Sequence, residues 1–385
     1  MQYREVGDTG VEISALGFGT MRYESAENAA EIIERGLELG MTYFDIGSAY
    51  SWDGPEENAE AWVGRAIADV PRENIVLSAK AQARPREEQH ERVEANLGIR
   101  NRDEMWMSIE NSLERVGADR FDFYQFWDMS APEQFEAACT GDDSPLQALR
   151  EARDQGLVDH IGFTSHGHAD EIITWLKRVQ DFRTITVYYN FLDRYCEKVL
   201  DYAHENRVGA KIMGPLRGGL LTGQSDVFSQ HLPEMADQPV QRVALRFLLS
   251  HPGVSSILSG VNRIAHLEEN VETVSEGDQM TAEQREAFVE AFNEFSQVQP
   301  LFIGCRYCLG SCSEGLQIYE LRGLYQASEI FGVDTARERL QEAKGRENME
   351  ADRCVSCGRC VEACPQDLPI PERMERVAGL MGELD

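Results

Sequence analysis

Cys354, Cys357, Cys360 and Cys364 follow one another at C-x2-C-x2-C-x3-C spacing, with Pro365 directly after. Thiolates packed this densely are the ligand pattern of an iron–sulfur cluster. A similar run comes earlier, with Cys305, Cys308 and Cys312. Phe302 stands where its first cysteine would be, and Ser313 where proline is usual. Zinc is the other metal that C-x2-C pairs hold, and the dense later run favours iron–sulfur. The remaining two of the 9 cysteines, Cys139 and Cys196, stand alone and read as structural. The odd count in the two runs argues for metal over disulfides, as does a start, MQYREVGDTG, without the layout of a secretory signal.

A second group of chemistry-bearing residues lies far from the cysteines. The stretch "FDIGSAYSWDGPEE" carries Asp45 and Tyr50, and "LSAK" ends in Lys80. A carboxylate, a phenol and an ammonium brought together form a proton-transfer device. Asp45 would hold Lys80, and the Lys80 cation would lower the pKa of the phenol. Tyr50 could then protonate an oxygen that gains negative charge. Each residue alone has a plainer reading, as a salt bridge or a pocket wall, so the chemistry depends on all three meeting.

The elements that would bring them together are legible as short apolar runs. These lie at residues 15–21, 41–50, 74–80, 120–127, 160–166, 184–190, 209–215 and 255–260. Near-continuous rather than alternating apolarity suits parallel strands buried on both faces. Amphipathic stretches between them, such as "AAEIIERGLELG" at 29–40, end in glycine as helices commonly do. Eight strand–helix units predict a (β/α)8 TIM barrel, whose chemistry gathers at the C-terminal strand ends. Asp45 and Lys80 fall at such ends. No G-x-G-x-x-G follows the first strand, which disfavours a doubly wound dinucleotide fold. Residues 1–14 predict a hairpin turning around Asp8–Gly10 that caps the barrel floor. The pattern becomes helical after about residue 280. The predicted domains are therefore a barrel over 1–299 and a small, mainly helical iron–sulfur domain over 300–385.

The 385 residues are 42% hydrophobic, enough for a packed core. No apolar run is long enough for a transmembrane helix, and a cytoplasmic protein is expected. The formal charge is −30, which argues against non-specific nucleic-acid binding and fits a salt-adapted host or a composition bias.

The runs "LGFGTM", "YFDIGSAY", "LSAK", "IGFTSHG", "VYYNFLDR", "IMGPLRGGLL" and "ILSGVNRIAHLEEN" resemble, in order, the motifs of the aldo-keto reductase family. The resemblance covers roughly residues 1–295. It implies hydride transfer between NADP(H) or NAD(H) and a carbonyl or alcohol substrate, with Asp45, Tyr50 and Lys80 as catalytic residues. The family's catalytic histidine usually closes the fourth strand, where this chain has "DFYQFW" and Trp127. An indole N–H can donate a hydrogen bond but cannot relay a proton. His166 and His168, near the end of the fifth strand, are candidates to compensate. For the nucleotide, the resemblance implies Gly19, Thr20 and Met21 under the nicotinamide, Thr164 and Ser165 near its carboxamide, and Met213 where many relatives stack an aromatic. It implies Gly214, Leu216 and Gly218 around the pyrophosphate, with Arg263, His266, Glu269 and Asn270 at the adenosine end.

The cysteine region resembles a two-cluster ferredoxin-type module with a helical insert. In such modules the fourth cysteine of each run crosses to the other cluster. That implies a 4Fe–4S cluster on Cys312, Cys354, Cys357 and Cys360. Cys305, Cys308 and Cys364 would be left for a 3Fe–4S cluster, or for a 4Fe–4S cluster with an open iron. The expected activity is that of an NAD(P)H-dependent oxidoreductase. The alternative is an electron-transfer or redox-sensing protein in which the barrel is a binding scaffold, with a redox protein as partner.

Overall fold

The computed structural model describes residues 1–85, 93–232, 238–277, 279–298, 308, 310–343, 345–364 and 368–382. The chain divides into two compact units. The first comprises Met1–Tyr189, Cys196–Pro215 and Leu245–Gln279, and the second comprises Asn190–Tyr195, Leu216–Ala244 and Met280–Asp385.

The first unit opens with an antiparallel hairpin, β1 (Tyr3–Glu5) and β2 (Glu12–Ser14), in which Tyr3 faces Ser14. Eight parallel strands then close into a barrel: β3 (Leu16–Gly19), β4 (Tyr43–Asp45), β5 (Val76–Ala81), β6 (Phe121–Phe126), β7 (Val158–Ser165), β8 (Phe182–Tyr188), β9 (Gly209–Met213) and β10 (Val254–Ser259). β10 pairs with both β3 and β9, which leaves no free edge. Each strand matches one of the eight apolar runs, because these runs must bury both faces. In β6, "FDFYQF", all 6 residues are buried. Val6 and Ile13 of the hairpin pack with Tyr43, Phe123 and Leu258 at the N-terminal end of the barrel interior, so the hairpin plugs the floor.

Three of the outer helices start where small polar residues cap them. Ser25 Oγ accepts from the Asn28 N–H ahead of helix Ala26–Glu38, Asn58 Oδ1 from Glu60 and Ala61, and Asn101 Oδ1 from Glu104. Each side chain satisfies donors that a helix start leaves unpaired. These caps fix where the loops at the C-terminal ends of the strands finish.

The second unit has an aromatic knot and an apolar core that holds cysteines. The rings of Phe228, Phe288 and Phe292 lie 5.6, 5.7 and 5.8 Å from that of Phe191. Buried Cys308, Cys360 and Cys364 share the core with Leu316, Leu321, Leu340, Met374 and Val377. The helices Ile318–Phe331, Val333–Ala343 and Ile370–Gly382 contribute Ile318, Leu321, Leu340, Ile370, Met374 and Val377 to this core. The unit includes helix Ala282–Val298 and two earlier segments.

Candidate active site

Strand register brings Asp45 and Lys80 to neighbouring levels. Asp45 on β4 stands opposite Ser78 on β5, and Lys80 stands opposite Gln125 on β6. Lys80 Nζ donates to Asp45 Oδ1 in a buried ion pair. Gln125 Nε2 donates to Asp45 Oδ2 at 3.2 Å and to Ser78 Oγ at 2.8 Å, while Thr186 Oγ1 donates to Gln125 Oε1 at 2.9 Å. The carboxylate is therefore gripped from two sides and has little rotational freedom. Sequence reasoning missed Gln125, although an amide near the C-terminal end of the strand run "FDFYQF" was the signal for it.

Tyr50 lies on the loop after β4, its ring across Gly47, where a Cβ would come within 3.0 Å of it. The Lys80 ammonium is 5.3 Å from the centroid of the Tyr50 ring and 5.9 Å from that of Trp127. Trp127 and Tyr50 meet edge to face, with centroids 4.9 Å apart. Asp45, Tyr50, Lys80 and Trp127 thus form one group.

The electrostatics correct one expectation. Burial raises the Tyr50 pKa, and the opposing pull of Lys80 does not cancel it, so the phenol titrates above its ordinary value rather than below. Burial also works against the Lys80 charge, but Asp45 and Tyr50 outweigh it and the ammonium is held above its usual pKa. At neutral pH the group is therefore a lysine ammonium, bonded to Asp45, beside a protonated phenol.

Asp128 follows Trp127 in the left-handed backbone region at φ 53°. Its N–H donates to Thr164 Oγ1 at 2.8 Å, its carboxylate accepts from Ser130 Oγ at 2.5 Å, and Arg84 stands 3.9 Å away. Its negative charge also bears on Tyr50. His166 packs against Tyr188 with ring centroids 5.7 Å apart, and His168 occupies the cap position of helix Ala169–Arg178.

The residues singled out for a nucleotide are spread over several strand ends. Gly19 closes β3 hard against the backbone of Ser259 and Gly260, with no room for a side chain without local movement. Thr20 is buried and donates to the Asp45 carbonyl at 3.1 Å, while Met21 is 53% exposed. Thr164 and Ser165 close β7, and the Ser165 hydroxyl accepts from the Gly167 N–H at 3.0 Å. Met213 closes β9 beside Tyr188 of β8. Gly214 follows at φ 66°, and a Cβ there would lie 2.2 Å from the Tyr188 ring. Tyr188 is thus an aromatic wall next to Met213 that the sequence reading did not single out. Arg263 caps helix Ile264–Ser275, with His266 and Glu269 exposed on it, while Asn270 is buried and donates to Ser259 Oγ at 3.2 Å. Leu216 and Gly218 belong to the second unit, where Gly218 takes φ 64° within the turn Arg217–Gly219.

Within the second unit, Cys312, Cys354, Cys357 and Cys360 line one small cavity, walled by Leu316, Ile318, Ile370 and Met374. Four thiols around an apolar hollow fit an iron–sulfur core. Among the described residues, no three His, Cys, Asp or Glu side chains converge as they would on a lone ion. Ser313 Oγ lies 3.4 Å from Cys357 Sγ. That contact, with the Arg359 N–H, brings the Cys357 thiol down to about 7. Cys308 and Cys364 are buried in the same apolar core but do not border this cavity. Cys305 lies outside the described residues, as do Phe302 and Pro365.

A closed parallel barrel with a carboxylate–ammonium–phenol group at the strand ends, followed by a cysteine-lined helical unit, matches known proteins in both parts. The chain belongs to the aldo/keto reductase family, whose model matches residues 15–292, and a 4Fe-4S dicluster domain matches residues 303–368. It is therefore an oxidoreductase-family barrel joined to an iron–sulfur domain. It is 26% identical over 321 residues to L-glyceraldehyde 3-phosphate reductase of Escherichia coli K12, covering 71% of this chain and 88% of that protein. It is 25% identical over 320 residues to L-galactose dehydrogenase of Arabidopsis thaliana, covering 75% and 95%. Among solved structures, the holo form of an aldo-keto reductase from Bacillus halodurans superposes with a TM-score of 0.64 at 25% identity, covering 76% of this chain and 96% of that one. Among the described residues, no helix is long and apolar enough to cross a membrane.

Proposed function

We propose that the protein is a cytoplasmic NAD(P)H-dependent oxidoreductase that interconverts a small carbonyl compound and its alcohol. The observation that carries the reading is the buried Lys80–Asp45 pair beside Tyr50. Nicotinamide, when bound, supplies the hydride. Gly19, Thr20, Met21, Thr164, Ser165, Met213 and Gly214 would hold its ring end, with Tyr188 as a further wall. Arg263, His266, Glu269 and Asn270 are the candidates for the adenosine end of the nucleotide.

The remaining chemistry belongs to the chain. A carbonyl oxygen that gains negative charge needs a proton, and the Tyr50 O–H gives it. The phenolate left behind is stabilised by the Lys80 ammonium, which Asp45 and Gln125 keep in place. Trp127 occupies the wall where the family's histidine would stand. Its indole N–H can help orient the substrate oxygen but cannot pass a proton.

Cys312, Cys354, Cys357 and Cys360 would hold a 4Fe–4S cluster, and Cys305, Cys308 and Cys364 a second, incomplete site. Nicotinamide chemistry moves two electrons together and a cluster moves one, so the cluster is read as organising the second unit and offering a docking point for a redox partner protein. Support comes from Cys308, Cys360 and Cys364, which sit inside that unit's apolar core.

The test mixes anaerobically purified protein with NADPH or NADH and a panel of aldehydes, and follows nicotinamide absorbance. Tyr50→Phe is expected to lower kcat by about 10²- to 10⁴-fold. Turnover that survives this substitution unchanged, or no turnover across the panel, overturns the reading.

A further inference from the structure

Lys211 points into the barrel interior from the middle of β9, is wholly inaccessible to solvent, and has no hydrogen-bond partner for its amine among the described residues. Its Nζ lies 4.6 Å from the centroid of the Phe123 ring and 5.3 Å from that of Tyr43. Tyr43 and Phe123 precede Asp45 and Gln125 by two residues on their strands. The amine therefore sits one interior layer below the carboxylate grip of the candidate site. The titratable groups that act on it are Asp45 and Tyr43 from β4, Lys80 from β5 and His160 from β7. Its register partners Thr186 on β8 and Ser256 on β10 are neutral, as is Phe123 on β6.

A purely structural role would be better served at this position by methionine or leucine. An amine in an apolar layer without an acceptor is unfavourable whether charged or neutral. The aromatic faces offer a charged Lys211 partial compensation, and burial pulls the other way, so neither form is strongly preferred. Burial brings the pKa down to about 7, with Asp45 opposing the shift and Lys80 adding to it. The amine is thus poised to change charge within the range in which an enzyme works.

We infer that Lys211 is a positioning residue whose charge state sets the proton affinity of the Asp45–Lys80–Tyr50 group from below. This rests on the reductase reading of that group. With Lys211 charged, added positive potential favours the Asp45 carboxylate and a Tyr50 phenolate, so Tyr50 is the stronger acid. With Lys211 neutral, that help is withdrawn. The coupling is reciprocal, so Asp45 must in turn raise the proton affinity of Lys211.

The experiment uses the full-length holoprotein labelled with ¹³C at lysine Cε. The chain has lysine only at positions 80, 177, 198, 211 and 344, so the spectrum holds few resonances. One resonance is expected to titrate near neutral pH, to vanish in Lys211→Met, and to shift its midpoint down by about half a unit or more in Asp45→Asn. In the pH profile of carbonyl reduction, kcat should fall roughly threefold or more as pH rises through that midpoint. Lys211→Met should lose this step while keeping its dependence on Tyr50. A Lys211 midpoint above about 9, or one that Asp45→Asn leaves unmoved, overturns the inference. So does a kcat profile identical in wild type and Lys211→Met. If no carbonyl is reduced at all, the reductase reading falls by itself, and the titration with its Asp45 dependence still decides whether the amine is coupled to the group.

Discussion

Lys211 has a stability consequence separate from any role in catalysis. Its amine titrates at about 7 in the fold, against 10.5 for an ordinary lysine. Between those two values the unfolded chain holds a proton that the folded chain has lost, so stability rises with pH across that window. Below about pH 7 the penalty is at its full size, on the order of several kcal/mol, and it fades as pH approaches the ordinary value. Lys211→Met is therefore expected to raise the unfolding free energy most at pH 7 and less at pH 9, as chemical denaturation at the two pH values would register. An equal gain at both would count against the buried, unpartnered amine. The sequence showed Lys211 as a lysine inside the apolar run "GAKIMGP", but not whether its amine had a partner. Whether a buried charge is paired depends on neighbouring strands, which a single run does not reveal. The same limit explains the reversed expectation for Tyr50. The Lys80 cation was visible beside it in the motif order, but the burial that overrides Lys80 is a property of the packed barrel.

Elements were more legible than their partnerships. All eight apolar runs became the eight barrel strands, because burial on both faces leaves a continuous apolar signature. The hairpin at residues 1–14 was equally plain, with Gly7 and Gly10 at positive φ where the chain reverses. Tyr188 and Gly214, by contrast, acquire meaning only together. A side chain at 214 would have to adopt φ 66° and would meet the Tyr188 ring. Gly214→Ala is expected to cost roughly 1–3 kcal/mol and to displace the Tyr188 ring. If that ring walls the nicotinamide site, the Kd for NADPH should also rise severalfold; unchanged Tm and unchanged Kd would contradict both parts. The two cysteine runs are proposed as ligands, and the proposed crossing between them is testable by substitution. Cys312→Ser, with a thiol removed from the four-cysteine cavity, should remove about four irons per chain and the signal of that cluster. Cys364→Ser should leave those irons in place and remove only what the second site holds. Equal loss from both variants would mean that the runs do not cross as described.

Net charge belongs to the whole molecule, and here its effect runs opposite to that of the individual ion pairs. Many surface arginines are matched to carboxylates, among them Arg35 with Glu268, Arg150 with Asp181 and Arg178 with Glu136. Exposed pairs of this kind contribute about 0–1 kcal/mol each, and salt weakens them. Taken alone they predict a protein that added salt destabilises. The inventory, however, is 67 acidic against 37 basic residues. Even if every cation were paired, 30 carboxylates would remain with like charges for neighbours. Their mutual repulsion acts over the whole folded surface and relaxes when the chain expands. It is screened as the Debye length falls from about 10 Å at 0.1 M salt to about 3 Å at 1 M. Because the unmatched charges sum over long distances while the pairs act one at a time, repulsion should dominate. Tm is therefore expected to rise by several degrees between 0.1 and 1 M KCl. Part of that gain should also be obtainable at low salt by lowering the pH toward the sequence pI of about 4.6, before the paired carboxylates themselves are protonated. Scanning calorimetry across a KCl series at fixed pH would measure it. A Tm that stays flat or falls with KCl would mean that the arginine pairs, not the surplus carboxylates, set the electrostatic balance of the fold.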